Sequence, residues 1–342
     1  MYNNYFVDNI VTESSNIKSF YLKRKDNKSV ESYLPGQFIA VRVKSNNYGK
    51  ELIRNYTISD SPGKGYLRLT IKKEENGLAS KYFHDELEIG DSVEISNPTG
   101  NFHLKPGNSK SIVLISGGVG ITPMQSMLEY IAEYEPGKTV FFLHSSLNKA
   151  VQPMLVRLRE LNAKHGSMYL SIHHSYPQED EIPGLDYDYD GLISKEYLES
   201  VLPKTEADIF LCGPTSFMEA MYKHLTDLGI KEETINYEFF GEGKKLGVKP
   251  STGTPATPGY KVKFTKSGIE ADWTDSNLSI LELAEEKGLA PSYSCRMGTC
   301  STCESTLVSG EIEYEPEPFM ESEPGKIFIC CSKPVSNIEI YL

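Results

Sequence analysis

Three patterns of apolar and polar positions follow one another along the chain. Up to about Leu104 the apolar residues alternate with polar ones in short runs, Phe38-Ile39-Ala40-Val41-Arg42-Val43, Leu67-Arg68-Leu69-Thr70-Ile71-Lys72 and Ser92-Val93-Glu94-Ile95-Ser96, separated by turn residues. Period two puts successive side chains on opposite faces of a strand, so residues 1–106 are expected to form an antiparallel β-barrel. From about Gly107 the pattern changes. Ser111-Ile112-Val113-Leu114-Ile115-Ser116 is a continuous apolar run, as a strand covered on both faces requires. Further strands are expected at Thr139 to His144, Met168 to His173 and Asp208 to Leu211, with helical stretches between them, the first from Gln125 to Tyr134. That alternation predicts a small doubly wound α/β domain over 107–243. Residues 244–258 hold Gly, Pro, Ser and Thr without an apolar period, the composition of a linker. In 259–342, Tyr260 to Phe264 and Glu270 to Trp273 alternate like a hairpin, and Ser279 to Lys287 spaces Ile280, Leu281, Leu283 and Ala284 on one helical face. The fold class is therefore multidomain: barrel, α/β domain and a third domain of hairpin, helix and strands.

Composition narrows the function. At 342 residues the chain is too long for one small core, and 39% hydrophobic with 24% charged residues is an ordinary globular balance. A net charge of -12 argues against a nucleic-acid partner. No apolar run is long enough to span a membrane, and Met1-Tyr2-Asn3-Asn4-Tyr5 lacks the basic and apolar regions of a signal peptide, so a cytoplasmic protein is expected. The charge is uneven: residues 259–342 carry 14 acids and 7 bases, a net of -7, with six acids between Glu311 and Glu323. That stretch is either a solvated face or a docking surface for a basic redox partner.

The third domain contains Ser294-Cys295-Arg296-Met297-Gly298-Thr299-Cys300-Ser301-Thr302-Cys303, with Cys330 and Cys331 far downstream. Three thiols spaced C-x4-C-x2-C in one loop with a distant fourth match the ligand set of a plant-type [2Fe-2S] ferredoxin. A compact tetrathiolate target needs three sulfurs from one tight wrapping loop, and Gly298, Thr299, Ser301 and Thr302 are small enough to turn backbone N–H groups inward. Zinc is the competing reading, but structural zinc pairs two spaced knuckles, whereas these downstream cysteines are adjacent. The run Ile327-Phe328-Ile329-Cys330-Cys331-Ser332-Lys333 alternates like a strand end, which would point the two thiols to opposite sides. Cys295, Cys300, Cys303 and Cys330 are the expected metal ligands. The choice of Cys330 rests partly on C-x-S-[RK], which resembles the closing motif in the ferredoxin domains of oxygenase reductases; Cys331 is then a packed thiol.

Within the barrel, Arg54-Asn55-Tyr56-Thr57-Ile58-Ser59 offers a cation, a flat aromatic and hydroxyls around one bound group. R-x-Y-[ST]-x-S resembles the flavin motif of the ferredoxin-NADP reductase superfamily. The resemblance implies that Arg54 meets a flavin pyrophosphate, Tyr56 packs beside the isoalloxazine and the Thr57 hydroxyl reaches its reactive nitrogen, with Asn55 and Ser59 in the same site. Gly77-Leu78-Ala79-Ser80 resembles the family's second phosphate turn, where N–H groups and a hydroxyl receive an anion, and Ile71 and Lys72 on the preceding run are counted with it. Asn97-Pro98-Thr99-Gly100-Asn101-Phe102 resembles the P-x-G-x-F of members that bind FAD and differs from the FMN-binding variant.

The apolar run ending at Ser116 leads into Gly117-Gly118-Val119-Gly120-Ile121-Thr122-Pro123-Met124. Strand, glycine turn and helix start together form a pyrophosphate site. This is similar to the superfamily's G-G-x-G-x-T-P nucleotide loop. Cys212-Gly213-Pro214-Thr215-Ser216-Phe217-Met218 resembles its C-G-P-x-x-[FM]-M turn beside the nicotinamide, with Gly213, Pro214 and Met218 binding and Cys212 either a positioning contact or a core thiol. Tyr237-Glu238-Phe239-Phe240-Gly241 resembles the Y-E-x-F-G of flavohaemoglobin reductase domains, which implies that Phe240 covers the flavin, Phe239 belongs to the core and Glu238 contacts the cofactor. Thr57, Cys212 and Glu238 are the expected catalytic residues. His173-His174 and Asp186 to Asp190 lack the spacing of a third metal ligand and are expected in a surface loop. Ser116, His144 and Asp208 lack the context of a hydrolytic triad.

The resemblance covers essentially the whole chain and implies an NAD(P)H-dependent iron-sulfur flavoprotein reductase with a β-grasp ferredoxin domain. His144-Ser145-Ser146-Leu147-Asn148 has serines but no arginine before Arg157, which favours NADH over NADPH. The implied acceptor is a separate redox protein, first the oxygenase component of a Rieske-type or related system, alternatively a hybrid-cluster protein. A further alternative is an electron-relay or redox-sensing subunit without significant turnover, against which the intact nucleotide loop argues.

Overall fold

The computed structural model describes residues 2–44, 51–75, 77–240, 246, 259–274, 278–293, 298, 302–315, 317–318 and 321–342. The chain divides into two compact units, residues 1–247 and 248–342.

The first unit begins with β1 (Tyr2–Ser14), β2 (Ile17–Arg24), β3 (Phe38–Lys44), β4 (Glu51–Thr57), β5 (Leu67–Lys72), the helix α1 (Leu78–Asp85) and β6 (Ser92–Ser96). The strands form one antiparallel sheet in the order β4-β3-β6-β1-β2-β5. An Ile58–Leu69 bridge and the Ser59 N–H to Arg68 carbonyl bond, 2.8 Å, join its two edges and close the barrel. Alternation fills the interior with Tyr5, Phe20, Leu22, Ile39, Ile58, Leu69 and Ile95, and Phe83 of α1 plugs one end.

The parallel half contains β7 (Ser111–Gly117), α2 (Ile121–Tyr134), β8 (Val140–Ser146), α3 (Leu155–Lys164), β9 (Met168–His174), β10 (Tyr189–Asp190), α4 (Lys195–Val201), β11 (Ala207–Cys212), α5 (Thr215–Asp227) and β12 (Ile235–Glu238). Its sheet order is β10-β9-β8-β7-β11-β12, so the strand order reverses direction at β7, the place where such sheets bind ligands. Separate apolar clusters cover its two faces, one around Leu114, Phe142 and Phe210, the other around Val113, Leu143 and Leu211. The helix expected from Gln125 starts at Ile121, because Pro123 in its first turn needs no intrahelical N–H partner. His173 and His174, expected in a surface loop, are buried at the end of β9, since both faces of a parallel sheet are covered.

The two halves meet along a polar seam. The Ser126 hydroxyl donates to the Asp60 carbonyl at 2.7 Å, and Tyr33 Oη donates to the Asp60 and Ser61 carbonyls. Buried Arg68 faces Asp60 and Glu129 at 3.7 and 3.8 Å, and Glu129 is held on its other side by Arg157 at 2.6 and 2.9 Å. Burial raises the Glu129 pKa, but the Arg157 guanidinium outweighs it and holds the carboxyl below its usual range. Glycine at 36 is obligatory in this seam: its φ is +108°, and a Cβ would lie 2.4 Å from the Phe102 carbonyl oxygen.

The second unit contains β13 (Tyr260–Phe264), β14 (Ile269–Trp273), α6 (Ile280–Glu286), β15 (Glu304–Ser309), β16 (Ile312–Tyr314), β17 (Lys326–Phe328), β18 (Ser332–Pro334) and β19 (Ile338–Tyr341). The mixed sheet β14-β13-β19-β15-β17 packs against α6, whose start is fixed by a capping box between Ser279 and Glu282. Of the expected linker only Leu246 lies among the described residues; it is buried, and its N–H donates to Tyr237 Oη at 3.3 Å.

Glu129→Ala leaves Arg68 buried without its second carboxylate and is expected to destabilise the first unit by about 2–4 kcal/mol in chemical denaturation. Since Glu129 is depressed in the folded state, its contribution is complete above the ordinary value of 4.5 and is lost as pH falls below it, so the wild-type and variant curves converge in acid.

Candidate functional site

The flavin motif occupies β4 and the residues after it. Arg54 Nη1 donates to the Ile53 carbonyl at 2.7 Å, which holds the guanidinium at the strand, and the half-buried Tyr56 ring meets Phe83 edge-on at 5.3 Å. Burial raises the Tyr56 phenol, with Arg54 opposing, so the ring stays neutral. Thr57 is buried next to it. The Ser59 side chain turns into the barrel, bonding the Arg68 carbonyl at 3.1 Å and the Thr70 hydroxyl at 2.8 Å, and Ile71 is part of the barrel core. Lys72 pairs with Glu74 at 2.9 Å; Asn55, on the same strand as Arg54, is half-buried. Gly77 precedes α1, whose start has no side-chain cap hydrogen bond. The Ser80 hydroxyl spans the turn, accepting from Glu74 N–H and donating to the Gly77 carbonyl, both 3.1 Å.

The nucleotide loop is built by close approach. Gly117 ends β7, Gly118 to Gly120 form a short 3-10 turn, and α2 starts without a side-chain cap. A Cβ on Gly120 would lie 2.5 Å from the Cys212 carbonyl oxygen and 2.7 Å from the Gly213 Cα, and one on Gly213 would lie 3.0 Å from the Gly117 nitrogen. The turns after β7 and β11 thus interlock glycine against glycine, and only hydrogen fits between them. Gly118, at φ +53°, has open space above it, as a backbone that receives a ligand needs. The Thr122 hydroxyl donates to the Val119 carbonyl at 3.1 Å, and Ile121, Pro123 and Met218 anchor the two helix starts in the core. Pro214 stands before the first residue of α5.

Sheet register aligns a row of polar side chains under these turns. Glu238 pairs with Cys212, Cys212 with Ser116, and Ser116 with His144. Glu238 Oε2 is buried without a hydrogen-bond partner, and burial pushes its carboxyl up to about 8. The fully buried Cys212 thiol is raised well above its usual value by burial and by Glu238. Ser116 Oγ and His144 Nδ1 share a hydrogen bond of 2.7 Å, and burial drives the imidazole down to about 3, so it is neutral. Asp208 sits at the opposite end of its strand, beside Asn108 and Lys110. The serine–histidine pair is therefore a strand tie that residue spacing did not reveal. Beyond Glu238, Phe239 packs edge-on against Tyr237 at 5.9 Å, whereas Phe240 is 46% exposed. His173 stacks on Tyr189 and bonds Ser171, and His174 bonds Glu181 at 2.5 Å.

In the second unit, Cys295 and Cys300 lie outside the described residues. Cys303 directly precedes β15, and the pairing of Glu304 with Phe328 brings it to the same end of the sheet as Cys330; Ile329 N–H donates to the Cys303 carbonyl at 3.4 Å. The expected strand alternation at 330 and 331 is not found. Ile329 and Cys330 form a turn between β17 and β18, and Ile327 to Ser332 are all buried, because every side chain in that run faces core or loop. The Cys331 thiol donates to the Phe328 carbonyl at 3.6 Å and lies 3.1 Å from where a Gly298 Cβ would stand. Gly298 has φ +63° and also abuts Pro318, so the loop between the first two cysteines touches Cys331 through a glycine. Two buried thiols at one sheet end, next to a glycine loop carrying two more cysteines in sequence, form a donor set suited to a tetrathiolate cluster.

Residues 5–104 match the oxidoreductase FAD-binding domain, 114–223 the oxidoreductase NAD-binding domain, and 263–335 the 2Fe-2S iron-sulfur cluster binding domain. The chain belongs to the ferredoxin-NADP reductase superfamily. It is an oxidoreductase that joins FAD-binding, NAD-binding and 2Fe-2S cluster-binding domains in one chain. A flavohemoprotein of Bacillus cereus is 39% identical over 250 residues, 72% of this chain and 62% of that protein. The chain thus spans about three fifths of the length of the curated relatives it matches. The flavohem-like FAD/NAD binding domain of a nitric oxide dioxygenase from Vibrio cholerae is 30% identical, with a TM-score of 0.64, over 70% of this chain and 99% of that one. Phthalate dioxygenase reductase shares the fold over 100% of this chain and 98% of its own, with a TM-score of 0.62 at 22% identity. No described helix of this reductase is long and apolar enough to cross a membrane.

Two outcomes follow for the reductase. Gly120→Ala forces the interlocked turns apart and is expected to lower NADH kcat/KM by about 100-fold, with flavin content retained, in steady-state dye reduction. Glu238 is raised in the folded state, so the fold holds its proton more tightly than the unfolded chain, and stability falls as pH rises from the ordinary 4.5 to about 8. Melting temperatures across that window should show this fall in the wild type and a flatter profile in Glu238→Gln.

Proposed function

We propose that this reductase draws electrons from NADH and delivers them one at a time to a separate redox protein, with domains 1–106, 107–243 and 259–342 in the flavin, nucleotide and ferredoxin roles. FAD, when bound, takes the electron pair of a nicotinamide and releases it singly, which a one-electron [2Fe-2S] acceptor requires. The observation that carries the reading is the joining of a cluster-binding unit to a complete flavin and nucleotide unit in one chain.

The chain's own residues divide the work. Arg54 and the uncapped start of α1 neutralise the FAD pyrophosphate, Tyr56 packs beside its ring, and the Thr57 hydroxyl hydrogen-bonds the ring's reactive nitrogen. Gly117 to Thr122 receive the nucleotide pyrophosphate, and Gly213 and Pro214 hold the nicotinamide over Cys212. Glu238, protonated at neutral pH, can donate a hydrogen bond there without adding charge. Phe240, exposed and two residues after Glu238, shields the flavin until nicotinamide arrives. Cys295, Cys300, Cys303 and Cys330 hold the cluster, while Cys331, whose thiol is turned to the Phe328 carbonyl, packs.

The first acceptor proposed is an oxygenase component of the Rieske type, on the shared three-module order with phthalate dioxygenase reductase. The acids from Glu311 to Glu323, of which Glu315 and Glu323 pair with Lys333 and Lys326, would meet a basic face on it. A hybrid-cluster protein is the second, favoured by the higher identity of the first unit to a nitric oxide dioxygenase domain and to flavohemoproteins.

Anaerobic titration with NADH, followed by absorbance and electron paramagnetic resonance, is expected to bleach the flavin and to raise a rhombic one-electron cluster signal. Cys330→Ser should lose that signal and Cys331→Ser retain it. A flavin that is reduced while an intact cluster stays oxidised would defeat the reading. Stopped-flow reoxidation by each purified acceptor then selects between the two partners.

A further inference from the structure

In a doubly wound sheet the pyrophosphate sits at the loop after the first strand, and the 2′ position of the adenosine ribose is read at the end of the second. Here those places are Gly117 to Thr122 after β7 and Ser145 to Asn148 at the end of β8. Asn148 is buried, and its Oδ1 has no hydrogen-bond partner among the described residues. An unpaired acceptor suits a ribose 2′-hydroxyl, which can donate, and not a 2′-phosphate, which at neutral pH is mostly a dianion and only accepts.

Lys149 follows directly and is the only Lys or Arg between His144 and Arg157. It is held away from this work. Its ammonium pairs with Asp186 Oδ1 at 2.9 Å, and its backbone N–H donates to Glu181 Oε1 at 2.9 Å. Both carboxylates are buried and braced: Asp186 Oδ2 accepts the Ile182 N–H at 2.9 Å, and Glu181 Oε2 meets His174 Nδ1 at 2.5 Å. The segment from Ser175 to Asp190 that carries them has six acids and no Lys or Arg. The Lys149 side chain is 54% exposed, so the pairing with Asp186, not burial, fixes where its charge lies.

We infer that Asn148 and the clamp of Asp186 and Glu181 on Lys149 make this site selective for NADH: the asparagine receives the ribose hydroxyl, and the one Lys or Arg of the 145–156 stretch is withheld from a 2′-phosphate. This rests on the nucleotide site proposed above and adds the residues that choose between the two nucleotides.

The test measures kcat/KM for NADH and NADPH with ferricyanide as acceptor, on the flavin-loaded full-length protein. The wild type prefers NADH. Asp186→Asn keeps an acceptor for Ile182 N–H but frees the lysine, so NADPH kcat/KM is expected to rise about tenfold, as one charge-assisted phosphate contact allows, with NADH changed by less than about twofold. Lys149→Ala in the Asp186→Asn background should cancel the gain. An unchanged NADPH value in Asp186→Asn, or a gain that survives removal of Lys149, overturns the inference. If Asp186→Asn does not load flavin, Leu147→Arg at a 50% exposed position supplies a free cation instead, and no NADPH gain there overturns it equally. A wild type that prefers NADPH defeats the NADH reading itself, before any variant is made.

Discussion

Everything at the nucleotide end of this reductase depends on a contact in which two backbones touch with no side chain between them. Gly120 stands against the Cys212 carbonyl and Gly213 against the Gly117 nitrogen, closer than any Cβ permits. This contact sets the distance between the turns that follow β7 and β11. It also fixes the register that brings Glu238, Cys212, Ser116 and His144 into one row. Energetically the contact contributes little attraction; its role is geometric, since a displacement of about 1 Å at such a site can cost two orders of magnitude in rate.

The flavin barrel must be held to that geometry, and the seam does so with polar groups instead of an apolar interface. Arg68 reaches from the barrel between Asp60 and Glu129, and Glu129 rises from the helix that begins at the nucleotide loop. An apolar seam could slide; charge pairs and bonds to the Asp60 and Ser61 carbonyls have one good arrangement. Phe102 adds an apolar pin from the end of the barrel, edge-on to Phe210 at 5.5 Å. The same helix thus begins at the glycine turn after β7 and packs its middle against the barrel, so a shift of either half is felt by the other.

Much of this was legible in the sequence because the period of apolar residues is set by the local element. Period two marked the barrel, continuous apolar runs marked β7 to β11, and glycine turns marked the ligand end. What was not legible arises from tertiary contact. Arg68 and Glu129 are distant in sequence, and neither belongs to a motif. The Ile327 to Lys333 run is expected to alternate, but its first five residues are all apolar, so no period exists to place a turn there. The absence of a third metal-ligand spacing places His173 and His174 in a surface loop, yet a covered parallel sheet buries its strand ends with whatever residues occupy them. The protonation of Glu238 could not be read at all, because it follows from burial and not from sequence neighbours.

That protonation gives the row under the nucleotide turns an unusual property. It is made of ionisable residues, yet at neutral pH it carries no charge: Glu238 keeps its proton below about 8, the Cys212 thiol keeps its own, and His144 stays neutral above about 3. A nicotinamide seated there, as proposed, becomes cationic when it gives up its electron pair. An ionised carboxylate in the row would bind that product tightly and slow its release, while a charged imidazole would oppose its formation. A neutral row does neither. Burial thus suppresses the charges while the sheet register keeps the polar groups in place.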